Sequence, residues 1–185
     1  MRGGIATVGL VAVVTALAAG CGEEVPRPAT SLGEQSSPTG PPYDGPLLEP
    51  AADGEEDGPA AVLAASGAAG RALDCDGAVY LRGSTEVWSK GDGGESPEEG
   101  LASFFEIEQP TLPRSGYHAE RLADDRVLFS YDVDGETKVA VIVAKDQPRR
   151  PEWGPDTFAA CDLAELPASF TDRLIIEIWT DRDGD

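Results

Sequence analysis

The sequence predicts an α+β fold: a small antiparallel sheet with one main helix, preceded by a disordered tether. Three observations predict it. A capped apolar stripe runs over 97–108. Valines and aromatics alternate through 117–145. Prolines and glycines crowd 22–59, with eight Pro and six Gly in those 38 residues.

In chain order, Ala60–Gly70 (AAVLAASGAAG) is an Ala-rich lead-in, read as a short helix although Gly67 and Gly70 weaken it. Ala78–Leu81 is a short strand candidate. Ser96 is placed to cap a helix, Pro97 suits the first helical position, and Glu99 completes a capping box. Leu101, Phe104, Phe105 and Glu108 then share one face, which Ile107 widens, and Gln109-Pro110 ends the helix.

Tyr117–Ala123 reads as a strand, with a weak turn at Asp124-Asp125. Val127, Phe129, Tyr131 and Val133 alternate along the next strand. Asp134-Gly135 is a two-residue hairpin signal, because both turn positions need positive φ. Val139, Val141 and Val143 alternate along the returning strand. Counting outward from the turns places Leu122, Val127 and Ile142 side by side, then Glu120, Phe129 and Ala140. It sets Leu128 with Val141 on the other face and His118 opposite Tyr131, with Lys138 beyond. Both faces are partly apolar, so the helix is expected over one, and loops or another strand over the other. Thr157–Ala160 is a further short strand, and Leu174–Thr180 the last.

Charge and composition narrow the function. The chain carries 34 Asp and Glu against 14 Lys and Arg, a formal −20. That excludes the basic face that binding nucleic acid requires, and it excludes a polybasic membrane-surface module. From Gly22 to Pro59 only Val25, Leu32, Tyr43, Leu47 and Leu48 could feed a core. Ordering this acidic segment is expected to cost more entropy than its burial returns.

The first residues, MRGGIATVGLVAVVTALAAGC, carry one charge, Arg2, before an apolar stretch from Ile5 to Ala19. Leu17-Ala18-Ala19-Gly20-Cys21 then resembles the bacterial lipoprotein signal. The resemblance implies cleavage between Gly20 and Cys21, and acylation of Cys21. A transmembrane anchor is the competing reading, since Gly3–Gly20 is 18 uncharged residues, the least that spans a bilayer. It is Ala- and Gly-rich, however, with no basic flank on its far side. The expected organisation is a signal peptide over 1–20 and a lipidated cysteine with disordered tether over 21–59. A lead-in over 60–70 and one folded domain over 71–185 follow.

With Cys21 given to lipid, Cys75 and Cys161 remain. In an exported domain they most simply form one disulfide. Metal binding and a nucleophilic thiol are the alternatives; both lack supporting ligands or an activating base, as His118 is the single histidine. Three D-x-D-G pieces (74–77, 132–135 and 181–184) could hold Ca²⁺. None extends into a full calcium loop, and Asp-Gly is common in turns for backbone reasons. No metal or cofactor is expected. Trp88, in a polar loop, and Trp153, beside Arg149 and Arg150, form a candidate binding surface. The competing role for each Trp is to cap the core.

Residues 72–76 (ALDCD), 113–117 (PRSGY), 126–138 (RVLFSYDVDGETK), 159–162 (AACD) and 177–181 (EIWTD) are similar to segments of uncharacterised actinobacterial lipoproteins. The resemblance spans most of the domain and implies no activity. The leading expectation is a lipid-anchored protein on the outer face of the cell membrane, with a small non-catalytic binding domain. Its partner would be an envelope protein or polymer. Two other readings stay open: a cell-envelope hydrolase using paired carboxylates or His118, and a structural surface protein without a discrete ligand.

Overall fold

The computed structural model describes residues 41–48, 61–63, 66–84, 89–108 and 110–175. Within them the fold is α+β. Five strands form one antiparallel sheet: β1 (Leu81–Ser84), β2 (His118–Leu122), β3 (Arg126–Val133), β4 (Glu136–Ala144) and β5 (Gly154–Ala160). They lie in the order β1-β5-β4-β3-β2. Helices α1 (Gly67–Arg71), α2 (Pro97–Ile107) and α3 (Ala168–Thr171) accompany them, with a 3-10 turn over Leu163–Glu165.

Helix α2 begins where its cap dictates. Ser96 Oγ accepts from the Glu99 amide at 3.2 Å, and the Glu99 carboxylate reaches back to the Glu95 amide at 2.6 Å. Its Phe104 and Phe105 lie on the sheet face made by Val127, Phe129, Val139, Val141, Val143 and Phe158. Gly100 lets the helix approach closely, since a Cβ there would stand 2.5 Å from Val143 Cγ1. The β3–β4 turn is as expected, with φ of 54° at Asp134 and 89° at Gly135.

The register differs from the turn-counted one, and bulges are the reason. Lys138 is an extra residue on β4, so Tyr131 pairs with Val139, Phe129 with Val141 and Val127 with Val143. Because side chains alternate with period two, that single insertion moves the three valines onto the face of Val127 and Phe129. It sets Leu128 beside Ile142 instead of Val141. Glu120 is the extra residue on β2, which places His118 opposite Ser130 and not Tyr131. Asp156 is the extra residue on β5, where Pro155 pairs with Val143. Each bulge thus carries an ionisable side chain.

The second sheet face corrects the expected boundaries. Leu128, Ala140, Ile142 and Ala159 form an apolar patch covered by Leu47, Ala68, Ala69 and Ala72. Leu47 is only 6% exposed. The Tyr43 amide donates to Glu120 Oε1 at 2.6 Å, and Arg121 Nη1 donates to the Tyr43 carbonyl at 3.4 Å. Residues 41–48 are therefore a strap on the sheet, not tether, and the folded unit starts well before residue 71. Pro41, Pro42 and Pro46 lower the entropy lost when the strap docks, and the apolar face beneath it supplies the gain.

Three smaller differences complete the comparison. β1 runs over Leu81–Ser84, beyond the expected Ala78–Leu81. β5 starts at Gly154, earlier than the expected Thr157. Leu174 and Ile175 lie in a bend, and the rest of the strand expected over Leu174–Thr180 falls outside the described residues. In the expected lead-in helix, 61–63 and Gly67–Arg71 are helical.

Candidate functional site

Cys75 and Cys161 are joined, with their Cα atoms 5.3 Å apart. The sheet brings them together: the Cys161 amide donates to the Lys138 carbonyl at 2.9 Å, and the Asp74 amide to the Thr137 carbonyl at 2.9 Å. The Lys138 bulge thus lies between the two halves of the disulfide. Its side chain is 4% exposed. Nζ donates to the Asp74 carbonyl at 2.6 Å, Glu165 Oε2 at 2.9 Å, Glu136 Oε2 at 2.9 Å and Asp76 Oδ2 at 3.3 Å. Burial alone would pull the ammonium's pKa down. Hydrogen bonds and charge from Glu136, Glu165 and Asp76 outweigh burial and hold it above its ordinary value.

This cluster accounts for the first D-x-D-G piece, where Lys138 occupies the place a cation would take. Cys75, Cys161 and Glu165 also have the mutual spacing of metal ligands. The two sulfurs are bonded to each other, however, and the carboxylate is held by Lys138 and by the Asp76 and Gly77 amides at 2.9 and 3.2 Å. The second D-x-D-G piece is the hairpin turn, with Asp132 Oδ1 accepting from Thr137 Oγ1 at 3.1 Å. The third lies outside the described residues.

A second polar cluster lies under the strap. His118 Nε2 stands 3.9 Å from Asp132 Oδ2, an ion-pair distance and not a hydrogen bond. Ser130 Oγ donates to Glu120 Oε2, and the other oxygen of Glu120 takes the Tyr43 amide. Ser130 is fully buried and its proton goes to Glu120, not to His118. Here Glu120 anchors the strap, and Ser130 and His118 are not aligned as nucleophile and base.

The expected binding surface is not assembled as an aromatic patch. Trp153 is 9% exposed and belongs to the core beside α2, its backbone paired with Gly94 at 2.8 and 2.9 Å. The core-capping role prevails because Gly94 and Gly100 bring backbone against it. Arg149 is exposed at the tip of a tight turn with φ of 69°, and the charge of Arg150 acts on Asp156. Trp88, like Gly20 and Cys21, lies outside the described residues.

A cleft of about 530 Å³ opens between the loop 110–115 and α3. Arg114 and Arg173 line it, along with Ser115, Ser169, Tyr131 and Phe170. No Asp or Glu does. Leu112, 3% exposed, pins the loop into the core. Gly116, at φ 95°, lies against the Tyr131 ring, where a Cβ would meet Cε2 at 3.0 Å. Sequence reasoning placed Lys138 beyond His118 and missed its carboxylate cluster, and it missed this cleft. The apolar faces required a bulge near Lys138, but nothing local marks Arg114 and Arg173, 59 positions apart, as neighbours.

Among the described residues no helix is long and apolar enough to cross a membrane. Comparison with protein-family models, curated proteins and solved structures finds no match.

Proposed function

We propose that the chain is an extracytoplasmic lipoprotein, cleaved between Gly20 and Cys21, held to the cell membrane by a lipid on Cys21, whose folded unit binds a ligand without catalysing a reaction. One observation carries the reading. Of three cysteines, Cys75 and Cys161 are taken by a disulfide, which suits an oxidising compartment and leaves Cys21 alone for lipid. The envelope context implied by the lipobox fits a partner that is an envelope protein or polymer. The buried Ser130 and the strap-anchoring role of Glu120 support binding over hydrolysis.

The test is expression of Cys21→Ser beside the parent chain in a lipoprotein-processing bacterium fed a labelled fatty acid. The parent should take up label and fractionate with membrane. The variant should lose the label. Label retained by Cys21→Ser, or none on the parent, would overturn the reading.

A further inference from the structure

We propose that the cleft between the loop 110–115 and α3 binds an oxyanion carried on a sugar-sized ring. The inference rests on the reading of the folded unit as a binding module, and it names that module's ligand class.

Charge is the first argument. Arg114 and Arg173 open onto one cleft, and neither guanidinium has a hydrogen bond or ion pair among the described residues. The chain carries 34 carboxylate side chains, and none of those among the described residues lines the cleft. Two like charges at one opening repel unless an anion joins them. The planar fork of a guanidinium matches the paired oxygens of a carboxylate or phosphate. At physiological salt, acidic groups farther than about 8 Å are largely screened, so the local pair decides the sign of the ligand.

The walls are the second argument. Tyr131 and Phe170 supply flat apolar surface, while Ser115 and Ser169 supply hydroxyls at the same opening. A sugar ring offers that combination in reverse: C–H faces to lie on the aromatics and edge hydroxyls to bond the serines. Burial raises the Tyr131 phenol's pKa, so it stays a proton donor at neutral pH. Gly116 seats the loop on the Tyr131 ring, which fixes one wall before a ligand arrives. The cleft volume lies within the range of small-ligand sites.

The test is calorimetric titration of the full chain in mild detergent micelles with four probes. Trigalacturonate carries carboxylates, glucose 6-phosphate carries phosphate, maltotriose is the neutral ring, and inorganic phosphate is the ion alone. One charged saccharide should bind with a Kd at or below about 1 mM, and which one identifies the oxyanion. Maltotriose should not bind. Arg114→Gln and Arg173→Gln should each weaken binding about tenfold, while Lys145→Gln, outside the cleft, should leave it unchanged. Both arginines are exposed, so the variants keep the fold. The proposal is overturned if neither charged saccharide binds or if maltotriose binds as well as they do. It is also overturned if glucose 6-phosphate binds and inorganic phosphate binds as tightly, or if the arginine variants bind like the parent. Trigalacturonate recovered cleaved after binding would sink the non-catalytic reading and leave the cleft standing. Failure of lipid labelling would leave it standing too.

Discussion

Replacing Lys138 by Met tests whether the bulge cluster is a structural clamp. Methionine keeps most of the aliphatic volume, so little cavity opens. What disappears is the ammonium. Glu136 and Asp76 are half-exposed or more (53% and 67%), so each of those pairs contributes about 0–1 kcal/mol. Glu165 is different: it is 10% exposed and would keep a charge with only two amide donors. Stranding a buried charge costs about 3–5 kcal/mol, reduced here by those amides to about 2. The hydrogen bond to the Asp74 carbonyl adds about 1 kcal/mol. The expected loss is about 3 kcal/mol, or roughly 10 °C in Tm for a domain of this size. Urea unfolding followed by Trp fluorescence measures it. Glu165→Gln removes the stranded charge, so the double variant should lose at least about 1 kcal/mol less than the sum of the singles. Because the folded-state pKa of Lys138 is raised, its contribution is complete below the unfolded value near ~10.4 and is lost as pH rises through the folded one. The parent should therefore show an alkaline loss of stability that Lys138→Met lacks. Additive singles, or a Lys138→Met loss under about 1 kcal/mol, would refute the clamp.

Four other outcomes follow from the packing. Leu47→Ala should cost about 2 kcal/mol, capped by the strap's own docking energy, and hydrogen exchange should quicken at the Tyr43 amide but not in β3 or β4; equal quickening everywhere would show that the strap is no separate element. Tyr117 buries a hydroxyl with no partner among the described residues, so Tyr117→Phe should hold or raise stability by up to about 1 kcal/mol in thermal melts. Burial and the neighbouring Tyr131 push the Tyr117 phenol up, so its alkaline absorbance change should appear only on unfolding. Burial also raises the Asp156 carboxyl against the pull of Arg126; its folded form favours the proton, and that contribution is complete below the unfolded pKa and lost as pH rises through the folded one. Asp156→Asn should therefore melt no lower than the parent at neutral pH, and a clear drop would show that the Arg126 pair outweighs burial.

Local chemistry was readable and distant pairing was not. Ser96, Pro97 and Glu99 specify where α2 begins from within four residues, and Asp134-Gly135 specifies its turn from two. The register failed because counting from a turn assumes an unbroken ladder. A polar residue left out of alternation is the mark of a bulge, and matching Val139 to Tyr131 as core to core would have revealed Lys138. β5 extends to Gly154, ahead of the expected Thr157, because Pro155 is tolerated there with the Asp156 bulge beside it. The strap was passed over because its composition is that of disorder. One leucine and a sheet face more than 80 residues away decide its fate, and no window along the chain contains both.

The strand order also governs when this chain can fold. Among the described residues β1 has only β5 for a strand neighbour, Leu47 packs with Ile142 and Ala159, and Cys75 must wait for Cys161. Each of these three early pieces is completed by a later one, whereas β2, β3 and β4 pair locally. These contacts cannot all form until Cys161 has been made, and closing such long loops is slow. The fold is thus finished from its C-terminal side, when β5 and Cys161 close the contacts that β1, Leu47 and Cys75 can only begin.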